Sequence, residues 1–257
     1  MRLKTLTPFG AEISGIDITA PDDGLSERIA ALVAKYKVLV LQGQAADDDA
    51  FVAFLAAMGP LTFTQGEIPV KGAPQLNLVT NVGRTRKPRS VFHTDTSYVP
   101  EPPAMTALRA VSVPDAGGAT LFSDQVAALR TLEPETRRAV QGRTVRHAFT
   151  DPSGVTTATE QPLVVRHPAS GQSSLYLSTP ERCASVSGMS EAAGAALIAE
   201  LYEHSIRPEN LLRHHWRAGD IVIWDDRLTM HRADHSAVEG DRVLHRGLIA
   251  GEALQAV

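Results

Sequence analysis

Apolar and polar residues alternate through "AEISGIDIT" (Ala11–Thr19) until the turn-forming "APDDG" interrupts them. A period of two predicts a half-buried strand followed by a turn. In "LSERIAALVAKYK" (Leu25–Lys37) the apolar positions take helical spacing, which predicts an amphipathic helix. "VLVLQ" (Val38–Gln42) is apolar almost throughout and predicts a short buried strand. "DDDAFVAFLAAMG" (Asp47–Gly59) predicts a second helix, with acidic residues in its first turn and glycine at its end.

Beyond this point short strands dominate. "AMTALRAVSV" (Ala104–Val113) predicts a strand, and "PDAGGATLFSD" a turn and another strand. "EPETRRAVQG" (Glu133–Gly142) predicts a short helix. "TVRHAF", "PLVVRHP" and "SSLYLS" are further strand candidates, and "SEAAGAALIAELYEHSI" (Ser190–Ile206) predicts a helix capped by serine. The end is strand-rich again, in "GDIVIWDD", "LTMHRAD" and "RVLHRGLIAGE". The regular β-α-β alternation of a parallel sheet is missing. A mainly β fold with flanking helices fits best, built on an antiparallel double sheet of jelly-roll type. No repeat or linker divides the 257 residues, so a single domain over 1–257 is expected. The segment "DPSGVTTATEQ" (Asp151–Gln161) is a candidate mobile lid.

Composition narrows the class. A net charge of −4 with no basic stripe argues against a nucleic-acid partner. Basic residues cluster in "GRTRKPRS" (Gly83–Ser90), which reads either as a solvated loop or as a lid attracting an anion. The single cysteine, Cys183, excludes a disulfide framework and is read as incidental. No signal-type segment and no long apolar run is present, so neither membrane association nor secretion is expected, and a cytoplasmic protein is.

"SVFHTDTSYVPEPPAM" (Ser90–Met105) sets His93 two residues before Asp95. On a strand both side chains share a face. By itself this motif is common and weak. Most of the other histidines read as packing, surface or turn residues, whereas His231 lies on "LTMHRAD" just after a tight turn. Two imidazoles and one carboxylate with open positions suit non-haem Fe(II), whereas zinc more often takes a tetrahedral set. Arg242 and Arg246 lie four apart on "RVLHRGLIAGE" and share a face if that segment is a strand. They read either as exposed or salt-bridged residues or as a pair holding two carboxylate-type anions. Thr120, after the turn, reads as an ordinary strand residue or as a hydroxyl donor to one of those anions.

With these residues in hand, the chain resembles the TauD/TfdA family of Fe(II)- and 2-oxoglutarate-dependent oxygenases. "FGAEISGIDIT" is similar to its N-terminal stretch. "FHTDTSYVPEPPAMTALRAVSVPDAGGATLFSD" is similar to its W-H-T-D…P-P…G-G-x-T-L-W segment. "WRAGDIVIWDDRLTMHRADHSAVEGDRVLHRGLIAGE" is similar to its W-D-N-R…H…R…H-R segment. The resemblance implies a double-stranded β-helix, with His93, Asp95 and His231 as iron ligands. Arg242 would hold the distal carboxylate of 2-oxoglutarate with help from Thr120, and Arg246 an anionic group of the primary substrate. O₂ would be the oxidant and the substrate a small organic anion: a sulfonate, alkyl sulfate, aryloxyalkanoate or amino acid. A homodimer or homotetramer is implied as well.

Phe92 replaces the family's tryptophan and keeps an aromatic wall. Thr64 and Arg89 stand where taurine dioxygenase has a histidine and an asparagine that serve its substrate. Two other classes remain open. A zinc or manganese jelly-roll hydrolase or isomerase would leave Arg242 without a purpose. A non-catalytic metal-binding sensor is disfavoured by the intact set of His93, Asp95, His231 and Arg242.

Overall fold

The computed structural model describes residues 1–64, 66–84 and 90–257. The N-terminal part contains β1 (Arg2–Thr5), β2 (Ala11–Ser14), α1 (Leu25–Tyr36), β3 (Val38–Leu41), α2 (Asp48–Ala56), β4 (Leu61–Thr62), β5 (Pro69–Val70) and β6 (Ala73–Thr80). The middle contains β7 (Met105–Ser112), β8 (Thr120–Asp124), α3 (Gln125–Arg130), α4 (Pro134–Val140), β9 (Thr144–Thr150), β10 (Thr156–Pro162), β11 (Val164–Arg166), β12 (Ser173–Leu175) and β13 (Cys183–Val186). The last part contains α5 (Glu191–Ser205), β14 (Leu211–His214), β15 (Ile221–Asp225), β16 (Thr229–Ala233) and β17 (Val243–Ile249).

Among the described residues the largest sheet has nine strands in the order β1-β2-β3-β15-β7-β17-β6-β5, with β4 attached to β17. All its neighbours are antiparallel except β2 and β3. A three-stranded sheet, β14-β8-β16, packs on its inner face, and the two make the double sheet that the pattern predicts.

Side-chain alternation explains how one strand serves two cores. Leu39 and Leu41 of β3 enter the cluster with Ile29, Val33, Phe51 and Leu55 of α1 and α2. Val38 and Val40 point the other way, into the cluster with Phe122, Trp224 and Leu244 between the sheets. Ile221 and Ile223 of β15 divide from Val222 and Trp224 in the same manner. A strand buried on both faces has to be apolar throughout, which is why "VLVL" shows no alternation in sequence. Beyond the small sheet, Leu197, Ile198 and Leu201 of α5 join Leu121 and Met230 in a third cluster.

The helix ends follow capping chemistry. Asp47 accepts the Ala50 amide at 2.9 Å, and Ser190 accepts that of Ala193 at 3.3 Å. Helix α3 was not legible, because its cap, Asp124, is also the last residue of β8. Strand β6 was hidden by Pro74, Gln75 and Asn77 in its sequence "APQLNLVT". The candidate lid Asp151–Gln161 is the tip and most of the return strand of a β9–β10 hairpin. The Asp151 carboxylate accepts the Ser153 and Val155 amides and so closes the hairpin tip.

Gly247 of β17 lies directly under α2, where a Cβ would collide with Leu55 Cδ1 and sit 3.2 Å from Leu76 Cδ2. Gly247→Ala overfills this contact and should cost about 1–3 kcal/mol. The urea midpoint should fall with an unchanged m-value, and an unchanged midpoint would show that α2 shifts freely on the sheet.

Candidate metal and oxoacid site

The site begins with two backbone hydrogen bonds. His93 N donates to His231 O at 3.0 Å, and His231 N donates to His93 O at 2.9 Å. Residues that exchange both bonds lie directly opposite each other, with side chains on the same side of the pair. The two imidazole centroids are 4.4 Å apart. After His93 the chain leaves the extended conformation, so Asp95 sits in a turn and not on a strand. Thr96, with φ 46°, completes that turn, a rare conformation for a β-branched residue.

The turn brings Asp95 Oδ1 to 3.5 Å from His93 Nε2 and Asp95 Oδ2 to 3.9 Å from His231 Nε2. One donor atom from each residue lies within 4.8 Å of the others. His93 Nδ1 is 3.0 Å from Val91 O, so this nitrogen carries the hydrogen and Nε2 presents its lone pair. Burial, with the neighbouring His93, pushes the His231 imidazole down to about 3. Burial works to raise the Asp95 carboxyl, but the Arg246 guanidinium beside it holds it well below the usual range. Two imidazoles and one carboxylate therefore face a common point. This donor set fits a divalent first-row metal with open positions.

Behind Asp95 stands a second acid. Thr106 Oγ1 lies 3.2 Å from Asp95 Oδ2 and 2.6 Å from Asp226 Oδ2, and Trp224 Nε1 donates to Asp226 Oδ1 at 3.0 Å. Burial and the charge of Asp95 push the Asp226 carboxyl well above its ordinary value. One hydroxyl proton cannot serve two anions fully, and the upward shift of Asp226 agrees with that crowding. Packing orients His231: Trp224 lies 4.6 Å and Phe122 6.4 Å from its ring centroid.

Arg242 is 2% exposed and immediately precedes β17, so the expected shared strand face with Arg246 does not apply. A register shift between Val243 and Leu244 separates the two arginines. Arg242 Nε donates to Gly118 O at 2.9 Å, and Nη2 to Thr120 Oγ1 at 3.3 Å. A Cβ on Gly118 would meet Arg242 Cδ at 3.0 Å, so the glycine pair of the turn makes room for this side chain. Trp216 Nε1 donates to Thr120 Oγ1 at 3.0 Å. Both hydroxyl lone pairs of Thr120 are thus occupied, and its proton is left to donate. Among the described residues no carboxylate pairs with Arg242, and burial pulls its guanidinium down to about 10. A buried, unpaired guanidinium beside a free hydroxyl proton fits an incoming carboxylate.

Arg246 Nη1 reaches Asp95 Oδ1 at 3.2 Å, and Nη2 lies 3.6 Å from the half-exposed Glu67. Thr64 Oγ1 is 3.3 Å from Thr96 Oγ1, on the rim of the turn. Phe92 corrects the expectation of an aromatic wall. Its ring packs in the α5-side cluster beneath Arg232, because adjacent residues of an extended chain point to opposite sides. Arg89 lies outside the described residues. His147 is fully buried with Nδ1 3.0 Å from Ser97 Oγ. Sequence reasoning missed Tyr98, Phe149 and Arg182. Tyr98 and Phe149 stack at 4.9 Å beneath Arg182, three residues beyond Asp95 on the ligand turn. The aromatic residue so close to the ligand was the only available signal.

A jelly roll that joins two imidazoles and one carboxylate, beside a buried guanidinium with no counter-anion, defines a 2-oxoglutarate-dependent non-haem iron dioxygenase. Fe(II), 2-oxoglutarate and O₂ are the metal, cosubstrate and oxidant of this class. The chain belongs to the TauD, TfdA family: the profile described as "Taurine catabolism dioxygenase TauD, TfdA family" matches residues 2–248. It is 29% identical to the alpha-ketoglutarate-dependent sulfate ester dioxygenase of Pseudomonas putida, over 95% of this chain and 87% of that protein. It is also 29% identical to the alpha-ketoglutarate-dependent 2,4-dichlorophenoxyacetate dioxygenase of Cupriavidus pinatubonensis, over 96% of each. Among solved structures, AAD-2 in complex with Mn(II) and N-oxalylglycine superposes with a TM-score of 0.87 at 28% identity, covering 99% of both chains.

Burial, with the nearby Arg182, pushes His147 from 6.5 down to about 4. Between those values the unfolded chain binds a proton that the native chain does not, so stability rises with pH. Acidifying the metal-free protein from about pH 7 to about pH 5 should therefore lower its unfolding free energy by on the order of a few kcal/mol, with His231 adding to the loss. His147→Gln should flatten this dependence. A metal-free wild type equally stable at both pH values would contradict a buried neutral His147.

Proposed function

We propose that His93, Asp95 and His231 hold Fe(II) and that Arg242, with Thr120, holds the distal carboxylate of 2-oxoglutarate. The reaction converts R–H, 2-oxoglutarate and O₂ into R–OH, succinate and CO₂, with R–H a small organic anion. Where the attacked carbon bears a heteroatom, the product falls apart and a C–S, C–O or C–N bond breaks. The observation that carries this reading is Arg242, buried with no carboxylate partner among the described residues and hydrogen-bonded to Thr120, which lies two residues along β8 from Phe122, the residue opposite His231. N-oxalylglycine, carried by the similar AAD-2 structure, is 2-oxoglutarate with one methylene replaced by NH, which supports the same ligand chemistry.

The bound metal supplies the redox chemistry that splits O₂. The chain supplies position and protection. His93 and His231 offer imidazole nitrogens, and Asp95 offers charge. Arg242 and Thr120 fix the far end of the cosubstrate, which leaves its oxo-acid end free to reach the metal. Arg246, beside Asp95, faces the anionic group of the primary substrate. The named activities of the relatives, on a sulfate ester and on an aryloxyacetate, support an organic anion as substrate. Thr64 in place of the histidine used by taurine dioxygenase supports one other than taurine. The proposal includes a cytoplasmic setting without nucleic-acid partners, supported by the net charge of −4 and the single, buried cysteine. It also includes a homodimer or homotetramer, which family resemblance supports and sedimentation would measure. No helix among the described residues is long and apolar enough to cross a membrane.

Anaerobic addition of Fe(II) and then 2-oxoglutarate should produce the weak visible charge-transfer band of the chelate. Arg242→Ala removes the partner of a buried carboxylate and should weaken 2-oxoglutarate at least about thirtyfold. Iron bound without any such band would refute the cosubstrate assignment. Asp95→Ala should abolish substrate-dependent succinate formation, and full activity with stoichiometric iron would remove Asp95 from the ligand set.

A further inference from the structure

Arg246 does not meet a substrate as a bare cation. It already touches Asp95 at 3.2 Å and Glu67 at 3.6 Å. A second guanidinium lies over the same turn, and among the described residues it has no such ion pair. Arg182 follows a turn closed by its own amide on Thr179 O at 2.9 Å, and its carbonyl accepts the Ala148 amide at 2.8 Å. These bonds fix its backbone beside β9. The Arg182 guanidinium carbon lies 5.5 Å from the Tyr98 ring centroid and 5.2 Å from that of Phe149, and the two rings stack at an interplanar angle of 25°. His147 and Phe149, alternate residues of β9, brace successive residues of the ligand turn, Ser97 and Tyr98. The shelf under Arg182 is therefore tied to the same turn that positions Asp95.

Among the described residues no carboxylate lies within ion-pair distance of Arg182. Its guanidinium lies over Tyr98, three residues beyond Asp95 in the same turn. The rings attract the cation without accepting a conventional hydrogen bond from it, and no described residue accepts one from its guanidinium N–H groups, so these donors stay available. The rings also hold it in place before any ligand arrives, which lowers the ordering cost of binding.

We propose that Arg182, held on the Tyr98–Phe149 shelf, is a second anion-binding residue for the primary substrate. The substrate is then an organic anion whose sulfate, sulfonate or carboxylate group is forked by Arg182 in concert with Arg246. Its apolar alkyl or aryl body lies along the shelf toward the metal ligands. This inference rests on the oxygenase reading given above.

The test uses the full-length protein loaded anaerobically with Fe(II) and 2-oxoglutarate, with phenoxyacetate, hexyl sulfate and 1-hexanesulfonate as probes. Binding is read as a shift of the chelate band, and turnover as succinate released in air. At least one probe should shift the band in the wild type. Arg182→Ala should weaken that probe at least about thirtyfold, with 2-oxoglutarate affinity unchanged. Any turnover effect should fall on substrate KM far more than on kcat. The preference for phenoxyacetate over neutral phenoxyacetamide should collapse in this variant and recover in part in Arg182→Lys. An unchanged chelate band shows that each variant is folded. A chelate that no probe perturbs, or probe affinity unaffected by Arg182→Ala, overturns the role of Arg182 and leaves the oxygenase reading standing. Absence of the chelate in the wild type overturns both.

Discussion

The pair of backbone hydrogen bonds between His93 and His231 is the constraint on which the site depends. It joins residues 138 positions apart in the chain and sets their imidazoles side by side before any metal binds. Side-chain donors on separate loops would each add freedom to be lost on coordination. Donors on directly opposed backbone residues have lost most of it during folding. Everything around the pair protects that register. The large sheet fixes β15 and its Trp224 against His231, and the turn after β15 delivers β16 beside β8. The apolar run of "IVIWD" is therefore as much a part of the site as the histidine that follows it.

Charge organises the rest. Five ionisable groups converge in a largely buried volume: Asp95, Asp226, Arg242, Arg246 and His231. Only one pairing among them, Arg246 with Asp95, is a direct ion pair of the ordinary kind. Burial shifts both His231 and Asp226 toward their neutral forms. Among the described residues Arg242 meets only the neutral oxygens of Gly118 and Thr120. A fold built for stability alone would cancel that charge with an internal carboxylate. Leaving it unpaired keeps a place for an anion from outside.

Much of this was legible in the sequence, and the limits have physical causes. His93, Asp95 and His231 come together as expected, because strand and turn patterns are local and long-range pairing followed from the family likeness. The shared-face argument failed for Asp95 and Arg242 for one reason: it assumed extended backbone where the chain turns. The apolar strands β3 and β15 were visible because both faces are buried, whereas β6, carrying Pro74, Gln75 and Asn77, was not. Phe92 was misplaced because likeness of residue type says nothing about which way the side chain points.

Tyr98, Phe149 and Arg182 were invisible for a deeper reason. They come from a ligand turn, a hairpin strand and an irregular turn, and nothing in their spacing relates them. Their association is a product of tertiary packing alone: the hairpin's alternation aims His147 and Phe149 at the turn, and the turn's own conformation presents Ser97 and Tyr98 to meet them. The metal donors answer to the geometry of one ion, so their residue types and spacing are constrained and readable. The shelf answers only to the shape and charge of a substrate. Its chemistry can change by altering one side chain on a hairpin without disturbing the hydrogen bonds between residues 93 and 231. That separation makes the metal donors the part of the site that sequence alone can reveal.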